Sequence, residues 1–274
     1  MQRTQLAINS VSTKQSGLEE ALTAYANAGF RNVEFVLPHV KAYLAQGHSL
    51  DAVRHLLRQR QLNAIGGFET HVACFGSQEA QQANHELVLE NTQLIQDLGG
   101  GTLVVGTDGP SNDASLETLD RIASTFRVLV KQIEHLQVSI ALEFNWSPVI
   151  KSLQSAVRVA EQVDHPQFGV LFDPAHYYTT VTKFEHLVPE TVRWIKHVHL
   201  NDMRNKPGEL SNCNSDRVLP GQGILDLPAI ISRLEEYGYQ GFFSIEMFNE
   251  ELWALPVETA AIHCYQSLLP LCRS

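Results

Sequence analysis

Four short apolar segments in the second half of the chain each end in a side chain that can bind a metal ion. Their apolar character is typical of strands that are buried on both faces of a parallel sheet. The segment that ends in Asp173 stops at Pro174, because proline cannot donate to a β-ladder and disfavours a helical conformation at the preceding residue. The segments are residues 138–143, ending in Glu143; 168–173, ending in Asp173; 195–199, ending in His199; and 242–246, ending in Glu246.

The terminal residue of each segment has the same parity along its strand. Side chains alternate across a strand, so residues two apart share a face. The face opposite the ligands is wholly apolar, as expected where helices cover a sheet. The face that carries the ligands contains apolar, small and polar residues, with the polar ones at its C-terminal end. That pattern is typical of a closed parallel barrel with its chemistry at the C-terminal ends of the strands. The predicted inward set is Ser139, Ala141, Glu143, Gly169, Leu171, Asp173, Ile195, His197, His199, Phe242, Ser244 and Glu246.

A single strand-end carboxylate is more often a helix N-cap or a surface charge than a ligand. Four ligands that agree in both parity and position favour a shared site. An open doubly wound sheet would also fit the alternation of strands and helices, but it would not gather four side chains around one point. The sequence therefore predicts an α/β fold, a single (β/α)8 TIM barrel with eight parallel strands, as one domain over residues 1–274.

The predicted elements alternate along the whole chain. The polar stretch at residues 201–223 is the longest in the sequence, and loops of this length usually cover a site. His176 is predicted to lie in the loop after the Asp173 strand. Further strands are predicted at residues 6–9, 32–36, 62–68 and 103–105, and helices at 17–28, from 50, 78–98, from 116, through 153–160, near 184–188, from 227 and from 256.

The bulk composition limits the classes of partner. The net charge is −10 with histidine neutral, which argues against a polyanionic partner such as nucleic acid. We see no apolar run of membrane length and no signal peptide, and hence expect no membrane partner. The chain has four scattered cysteines, which we expect to be reduced thiols in a cytoplasmic protein: Cys74, Cys213, Cys264 and Cys272.

The four strand-end ligands would form an oxygen-rich site. Three carboxylates at one point repel each other strongly, so a cation is nearly required. Oxygen ligands with one nitrogen suit one divalent ion such as Mn²⁺, Mg²⁺ or Co²⁺, with Zn²⁺ also compatible. Four protein ligands, Glu143, Asp173, His199 and Glu246, would leave coordination positions for substrate oxygens. Glu143 and Glu246 would then form an acid/base pair, one removing a carbon-bound proton next to a polarised carbonyl and the other returning it.

Other side chains near the strand ends are weaker candidates. His176 follows Asp173 closely and is predicted to contact substrate. Glu34 and His71 lie near the ends of the second and third strands and are further candidates for substrate contact. Trp146 follows the Glu143 strand and is predicted to form a wall of the site. His197 is predicted to be a hydrogen-bonded core histidine in preference to a partner of the metal ligands.

Five local motifs resemble those of the xylose isomerase-like TIM-barrel superfamily, and most closely its sugar phosphate isomerase/epimerase branch. They are Ala-Leu-Glu-Phe-Asn around Glu143, Phe-Asp-Pro-Ala-His around Asp173, His-Val-His-Leu-Asn-Asp around His199, Leu-Pro-Gly-Gln-Gly after Arg217, and Ser-Ile-Glu-Met-Phe around Glu246. The resemblance covers essentially the whole chain. It implies the same four metal ligands and the same acid/base pair, and it adds Arg217 to His176 as a contact of substrate oxygens.

The resemblance implies a metal-dependent isomerase or epimerase of a sugar, sugar phosphate or cyclitol. A metal-dependent dehydratase of a keto-cyclitol or of 3-dehydroshikimate is the alternative, because loss of water also begins with proton removal next to a carbonyl. A DNA-repair endonuclease of the same superfamily is remote, since strand four ends at Val105 without a following histidine and the chain is acidic. A metal-free binding role is the fourth hypothesis. The expected partner is a small carbohydrate-like molecule, and a homo-oligomer is compatible with the sequence, which does not set the oligomeric state.

Overall fold

Eight parallel strands close into a barrel in which every strand is hydrogen-bonded to two neighbours. The computed structural model describes residues 1–110 and 115–273 of the chain. Strand β1 (Leu6–Asn9) pairs with β2 (Asn32–Val36) on one side and with the last strand, β10 (Phe243–Ile245), on the other, which completes the circle. The predicted (β/α)8 barrel is confirmed. Its strands are β1 (Leu6–Asn9), β2 (Asn32–Val36), β3 (Asn63–Phe68), β4 (Thr102–Val105), β5 (Ser139–Glu143), β6 (Phe168–Phe172), β7 (Ile195–Leu200) and β10 (Phe243–Ile245).

Helices separate the strands and begin and end at residues with local capping signals. Ser77 accepts a hydrogen bond from the amide of Ala80 at the start of one helix, and Gly99 ends the same helix in a left-handed conformation. Gly29 ends the first helix in the same way. The helices are α1 (Leu18–Ala28), α2 (Leu37–Ala45), α3 (Leu50–Gln59), α4 (Gln78–Leu98), α5 (Leu116–Gln132), α6 (Leu153–Val163), α7 (Pro174–Thr179), α8 (Pro189–Val192), α9 (Leu227–Glu236), α10 (Glu250–Trp253) and α11 (Val257–Leu268).

Two apolar clusters lie on the two faces of the barrel wall. The large cluster fills the layer between strands and helices and contains the outward residues of every barrel strand. The small cluster lies inside the barrel and consists of Val104, Ala141 and Leu171, against which Phe68 and Trp146 pack. The inward parity predicted for Ala141 and Leu171 is therefore confirmed.

The inward prediction was wrong for Ile195. This residue packs in the outer cluster. The pairing of β6 with β7 shifts register between Val170 and Leu171, so that Ile195 pairs with Val170 but His197 pairs with Leu171. Two residues of β7 therefore advance while β6 advances by one. An irregularity of this kind changes the face on which the residues before it lie relative to those after it. His197 and His199 keep the predicted inward direction because they follow the shift.

One helix was missed and two local predictions were wrong. Helix α2 was not predicted, because it follows β2 without a loop and starts at Leu37 just before Pro38. His176 lies on the short helix α7 and not in a loop, since Asp173 caps that helix and Pro174 opens it. The helix predicted near residues 184–188 is a 3₁₀ turn at Phe184–His186, followed by α8.

The polar stretch after β7 folds back on itself as an antiparallel pair. Strands β8 (Asp202–Met203) and β9 (Arg217–Val218) form the pair, and residues 204–216 connect them. Among the described residues, we find no helix that is both long and apolar enough to cross a lipid bilayer.

Candidate active site

Glu143, Asp173, His199 and Glu246 meet at the C-terminal end of the barrel. One donor atom from each lies within 4.8 Å of the donor atoms of the other three, and all four residues are buried. His199 is at the centre of the group. Its Nδ1 lies 3.1 Å from Glu246 Oε2, 3.5 Å from Asp173 Oδ2 and 3.7 Å from Glu143 Oε1.

Asp173 is both a helix cap and a member of this group. Its Oδ1 accepts hydrogen bonds from the amides of Ala175 and His176, at 2.7 and 3.2 Å, which begins helix α7. Its Oδ2 faces the centre of the site and accepts a hydrogen bond from Asn201 Nδ2 at 3.0 Å. The capping role and the ligand role were alternatives in the sequence, whereas the two oxygens of one carboxylate can serve both.

Arg217 is fully buried between two of the carboxylates. Its Nη1 donates to Glu246 Oε2 at 2.6 Å, its Nη2 lies 3.2 Å from Asp173 Oδ2, and its Nε donates to the carbonyl of Cys213. Burial opposes ionisation of Asp173, but Arg217 and His176 outweigh it and hold the pKa of that carboxyl well below its usual range. Burial likewise opposes ionisation of Glu246, and His199 and Arg217 together lower its pKa.

A buried carboxylate holds the loop that carries Arg217. Asp202 accepts four backbone hydrogen bonds, from the amides of Met203, Gly221, Gly223 and Leu225, at 2.8 to 3.0 Å. These bonds tie both ends of the β8–β9 segment together. The position of Arg217 therefore depends on a residue that lies outside the group of four.

His176 and Glu143 form a second pair at the edge of the group. Nε2 of His176 lies 3.1 Å from Glu143 Oε1, and Nδ1 of the same ring is 3.1 Å from Asn145 Nδ2. Burial disfavours the charged ring, but the negative charges of Asp173 and Glu143 outweigh it and raise the pKa of His176 to about 10.

A cavity of about 320 Å³ opens above the four residues. Glu143 and Glu246 both line it, together with His176, Arg217 and the predicted wall residue Trp146. Trp146 packs edge-to-face on Phe68, and its backbone lies so close to Gly106 that a Cβ there would come within 1.9 Å of the Trp146 carbonyl. The sequence analysis did not identify six further lining residues as part of the site: Phe68, Val104, Asn145, Cys213, Asn214 and Phe248. Cys213 and Asn214 belong to the polar stretch that was predicted to cover a site, and that stretch was the available signal.

Glu34 and His71 lie apart from the described lining of this cavity. His71 is exposed on the loop after β3. Glu34 is fully buried beneath the four residues, 3.3 Å from His199 Nε2 and 3.1 Å from His197 Nε2. Substrate contact by these two residues stays a prediction. His197, predicted as a hydrogen-bonded core histidine, is buried and lies against Glu34.

The donor set fits a divalent cation. His199 Nδ1 and Glu143 Oε1 are buried without a hydrogen-bond partner of normal geometry among the described residues, so the neighbouring side chains satisfy neither atom. An unsatisfied buried polar atom is costly, and a cation would satisfy both. Three carboxylates and one imidazole suit Mn²⁺, Mg²⁺, Co²⁺ or Zn²⁺. Binding of an ion by these residues, and its identity, stay predictions.

The fold and site define an α/β barrel with an oxygen-rich polar centre at the C-terminal end of its strands. The sequence profile of the xylose isomerase-like TIM barrel family matches residues 22–266. The chain belongs to this family, as the motifs in the sequence predicted.

Individual relatives are similar over different shares of the chain. An inosose isomerase from Bacillus subtilis (strain 168) is 32% identical over 126 residues, which is 45% of each protein, so less than half of that relative is matched. An inosose isomerase from Halalkalibacterium halodurans is 25% identical over 265 residues, 93% of this chain and 92% of that protein. A crystal structure of an IOLI protein with a binding zinc atom superposes with a TM-score of 0.85 at 22% identity, covering 97% of each chain.

Proposed function

We propose that the protein is a divalent-metal-dependent isomerase or epimerase of a small polyhydroxy ketone. The observation that supports it is the placement of Glu143 and Glu246. Both carboxylates line one cavity, Glu143 at the end of β5 and Glu246 directly after β10, and these strands are separated in the barrel by β6 and β7. Two carboxylates on different sides of a bound ketone can remove a proton from a carbon and return it to the same or a neighbouring carbon.

The two glutamates have different hydrogen-bond and charge partners. Glu246 accepts hydrogen bonds from Arg217 and from Asn9, at 2.6 and 3.2 Å, and is held as a carboxylate. Glu143 faces His176, whose raised pKa favours a protonated ring that can supply a proton or hold a substrate oxygen. A bound divalent ion would supply Lewis acidity that polarises the substrate carbonyl. We assign proton removal and return to Glu143 and Glu246, and orientation of substrate oxygens to His176.

The charges around the cavity favour an unphosphorylated substrate. Among the described lining residues, Arg217 is the one lysine or arginine, and Asp173, Glu246 and the Cys213 carbonyl already engage its guanidinium. A phosphate binds best to an uncommitted guanidinium or ammonium group. The cavity volume of about 320 Å³ suits a monosaccharide or a cyclitol. The names of the inosose isomerase relatives point to the same class.

Solvent hydrogen exchange tests the proposal directly. The protein is loaded separately with Mn²⁺, Mg²⁺, Co²⁺ or Zn²⁺ and incubated in D₂O with a keto-inositol, a ketohexose and a ketopentose 5-phosphate. We expect deuterium to enter a carbon next to the carbonyl of the keto-inositol or the ketohexose. Failure of exchange with every substrate and metal would reject the proposed function, whereas faster exchange with the phosphate would reject only the unphosphorylated class.

Two variants and one control test the proposed roles of Glu143 and Glu246 in proton transfer. We expect Glu143→Gln and Glu246→Gln each to lower the exchange rate about 10²- to 10⁴-fold, the usual loss of a general acid or base. Glu69→Gln removes a carboxylate that pairs with Lys41 outside the cavity and should leave the rate unchanged. An ultraviolet-absorbing enone in place of an epimer or isomer would identify a dehydratase instead.

A further inference from the structure

Three buried ionisable side chains lie in the barrel interior beneath the proposed ion site. Glu34 is on β2, and His197 and His199 are both on β7. Their exposed fractions are 0%, 2% and 0%. Strands β2 and β7 are not neighbours, so Glu34 reaches across the barrel interior to meet the histidines. The cost of burying such groups is offset only if they are paired.

The two ring nitrogens of His199 face different partners. Nδ1 faces the carboxylates of Glu143, Asp173 and Glu246, whereas Nε2 is hydrogen-bonded to Glu34 Oε1 at 3.3 Å. An ionised carboxylate can only accept, so Nε2 must be the protonated nitrogen of this pair. An imidazole that binds a metal ion is neutral and has one N–H, so Nδ1 would supply the lone pair to an ion held by the group of four.

His197 lies beside the other oxygen of Glu34. Its Nε2 lies 3.1 Å from Glu34 Oε2, and its ring packs edge-to-face on His199 with centroids 5.4 Å apart. Rotation of the Glu34 carboxylate would break one contact or the other. Both oxygens of Glu34 thus face the two histidines below the cavity, which separates the carboxylate from a substrate bound above.

We propose that Glu34, through its hydrogen bond to Nε2, is a positioning residue that fixes the protonated nitrogen and the ring orientation of His199, with His197 packed beside the second oxygen of Glu34. The ring of His199 would then already be oriented, with Nδ1 facing the ion site, before a cation binds. This inference rests on the divalent-ion site of the proposed function, and it assigns Glu34 to that site and not to substrate contact. Partners that orient a metal-ligating histidine in this way also raise its basicity.

Metal affinity is the measurement that tests the assignment. Zn²⁺ and Co²⁺ are titrated calorimetrically into the metal-free full-length protein and into Glu34→Gln, with the bound stoichiometry measured separately. We expect one ion per wild-type chain and an affinity about 10- to 100-fold weaker in Glu34→Gln, the typical loss when such a partner is changed. Glu34→Asp should not restore the affinity, because its shorter side chain cannot reach His199. Glu69→Gln is the matched control with unchanged affinity.

Each contrary result has one meaning. A wild-type chain that binds no ion rejects the ion site itself and with it the proposed function. Wild-type affinity in a folded Glu34→Gln overturns the positioning role alone. Two ions per wild-type chain, with one lost in Glu34→Gln, would make Glu34, His197 and His199 ligands of a second ion and would also overturn it. A changed KM with unchanged metal affinity would return Glu34 to substrate contact.

A measurement on the wild-type protein avoids dependence on the folding of variants. The Zn²⁺-loaded protein is labelled with ¹⁵N-histidine, and the His199 signals are assigned by their loss in His199→Gln. We expect a metal-shifted Nδ1 and a protonated Nε2 in the same ring. A protonated Nδ1, or a metal-shifted Nε2, would overturn the proposal.

Discussion

Arg217 donates a hydrogen bond to Glu246 over 2.6 Å and, through its other terminal nitrogen, lies 3.2 Å from Asp173. A fixed positive charge therefore stands beside two of the predicted metal ligands. Arg217 and His176 lower the pKa of Asp173, and His199 and Arg217 lower that of Glu246, so both stay ionised, which is the form that binds a cation. The same contacts leave the guanidinium little capacity for a strongly charged substrate.

Replacement of Arg217 tests the value of this charge. In Arg217→Met the buried carboxylates lose their cation, and we expect the free energy of unfolding to fall by about 3–5 kcal/mol. Arg217→Lys keeps the charge but not the forked geometry and should lose less. Urea unfolding of the metal-free proteins gives both values. Equal stability of wild type and Arg217→Met would contradict the assigned role.

Gly223 is expected to be necessary for the loop that carries Arg217. A Cβ at this position would lie 2.3 Å from both Asp202 Oδ1 and the Met203 carbonyl, so Gly223→Ala must displace the loop. We expect a loss of about 1–3 kcal/mol in stability and faster proteolysis within residues 201–223. Gly17→Ala is the control, since a Cβ there meets nothing within 4 Å. Unchanged proteolysis of Gly223→Ala would show that Asp202 does not hold the loop.

Binding of a divalent ion should stabilise the folded protein. An ion that binds only the native state at 100 times its dissociation constant adds about 2.7 kcal/mol, which EDTA should remove. Thermal unfolding with and without Mn²⁺ or Zn²⁺ measures this difference. His199→Gln removes the central ligand and should show no stabilisation by the same ions. An equal stabilisation of His199→Gln would place the ion elsewhere.

The buried thiol of Cys264 predicts a loss of stability at alkaline pH. Burial raises the pKa of Cys264 to about 12, whereas an unfolded thiol titrates near about 8.5. Between these values the unfolded state loses the proton and the native state keeps it. The contribution of the buried, protonated thiol to the free energy of unfolding is therefore complete below about pH 8.5 and falls by about 1.4 kcal/mol per pH unit above it.

The variant Cys264→Ala isolates this contribution. The difference in unfolding free energy between wild type and Cys264→Ala should become smaller as the pH rises from about 8.5 to about 11. Leu268→Ala lies on the same helix, is also buried and has no ionisable group, so its difference should stay constant. A constant difference for Cys264→Ala as well would contradict the raised pKa.

Much of the fold follows from local signals. Strand β2 and helix α4 were predicted to the residue, because β-ladders and amphipathic helices have periods that a sequence displays directly. Helix α2 was missed because nothing separates it from β2. Ile195 was assigned to the wrong face because a register shift between strands changes parity without any change in the apolar pattern.

The sequence by itself determined the barrel class and the four residues that meet above it, since parallel strands end at the same edge and parity selects the inward face. Only the tertiary structure decided what those residues touch. Glu34 meets His199 across a separation of 165 residues, and Arg217 is inserted between Asp173 and Glu246 by a loop held at Asp202. Such contacts depend on how the closed barrel brings distant strands together, and no local period of the chain encodes them.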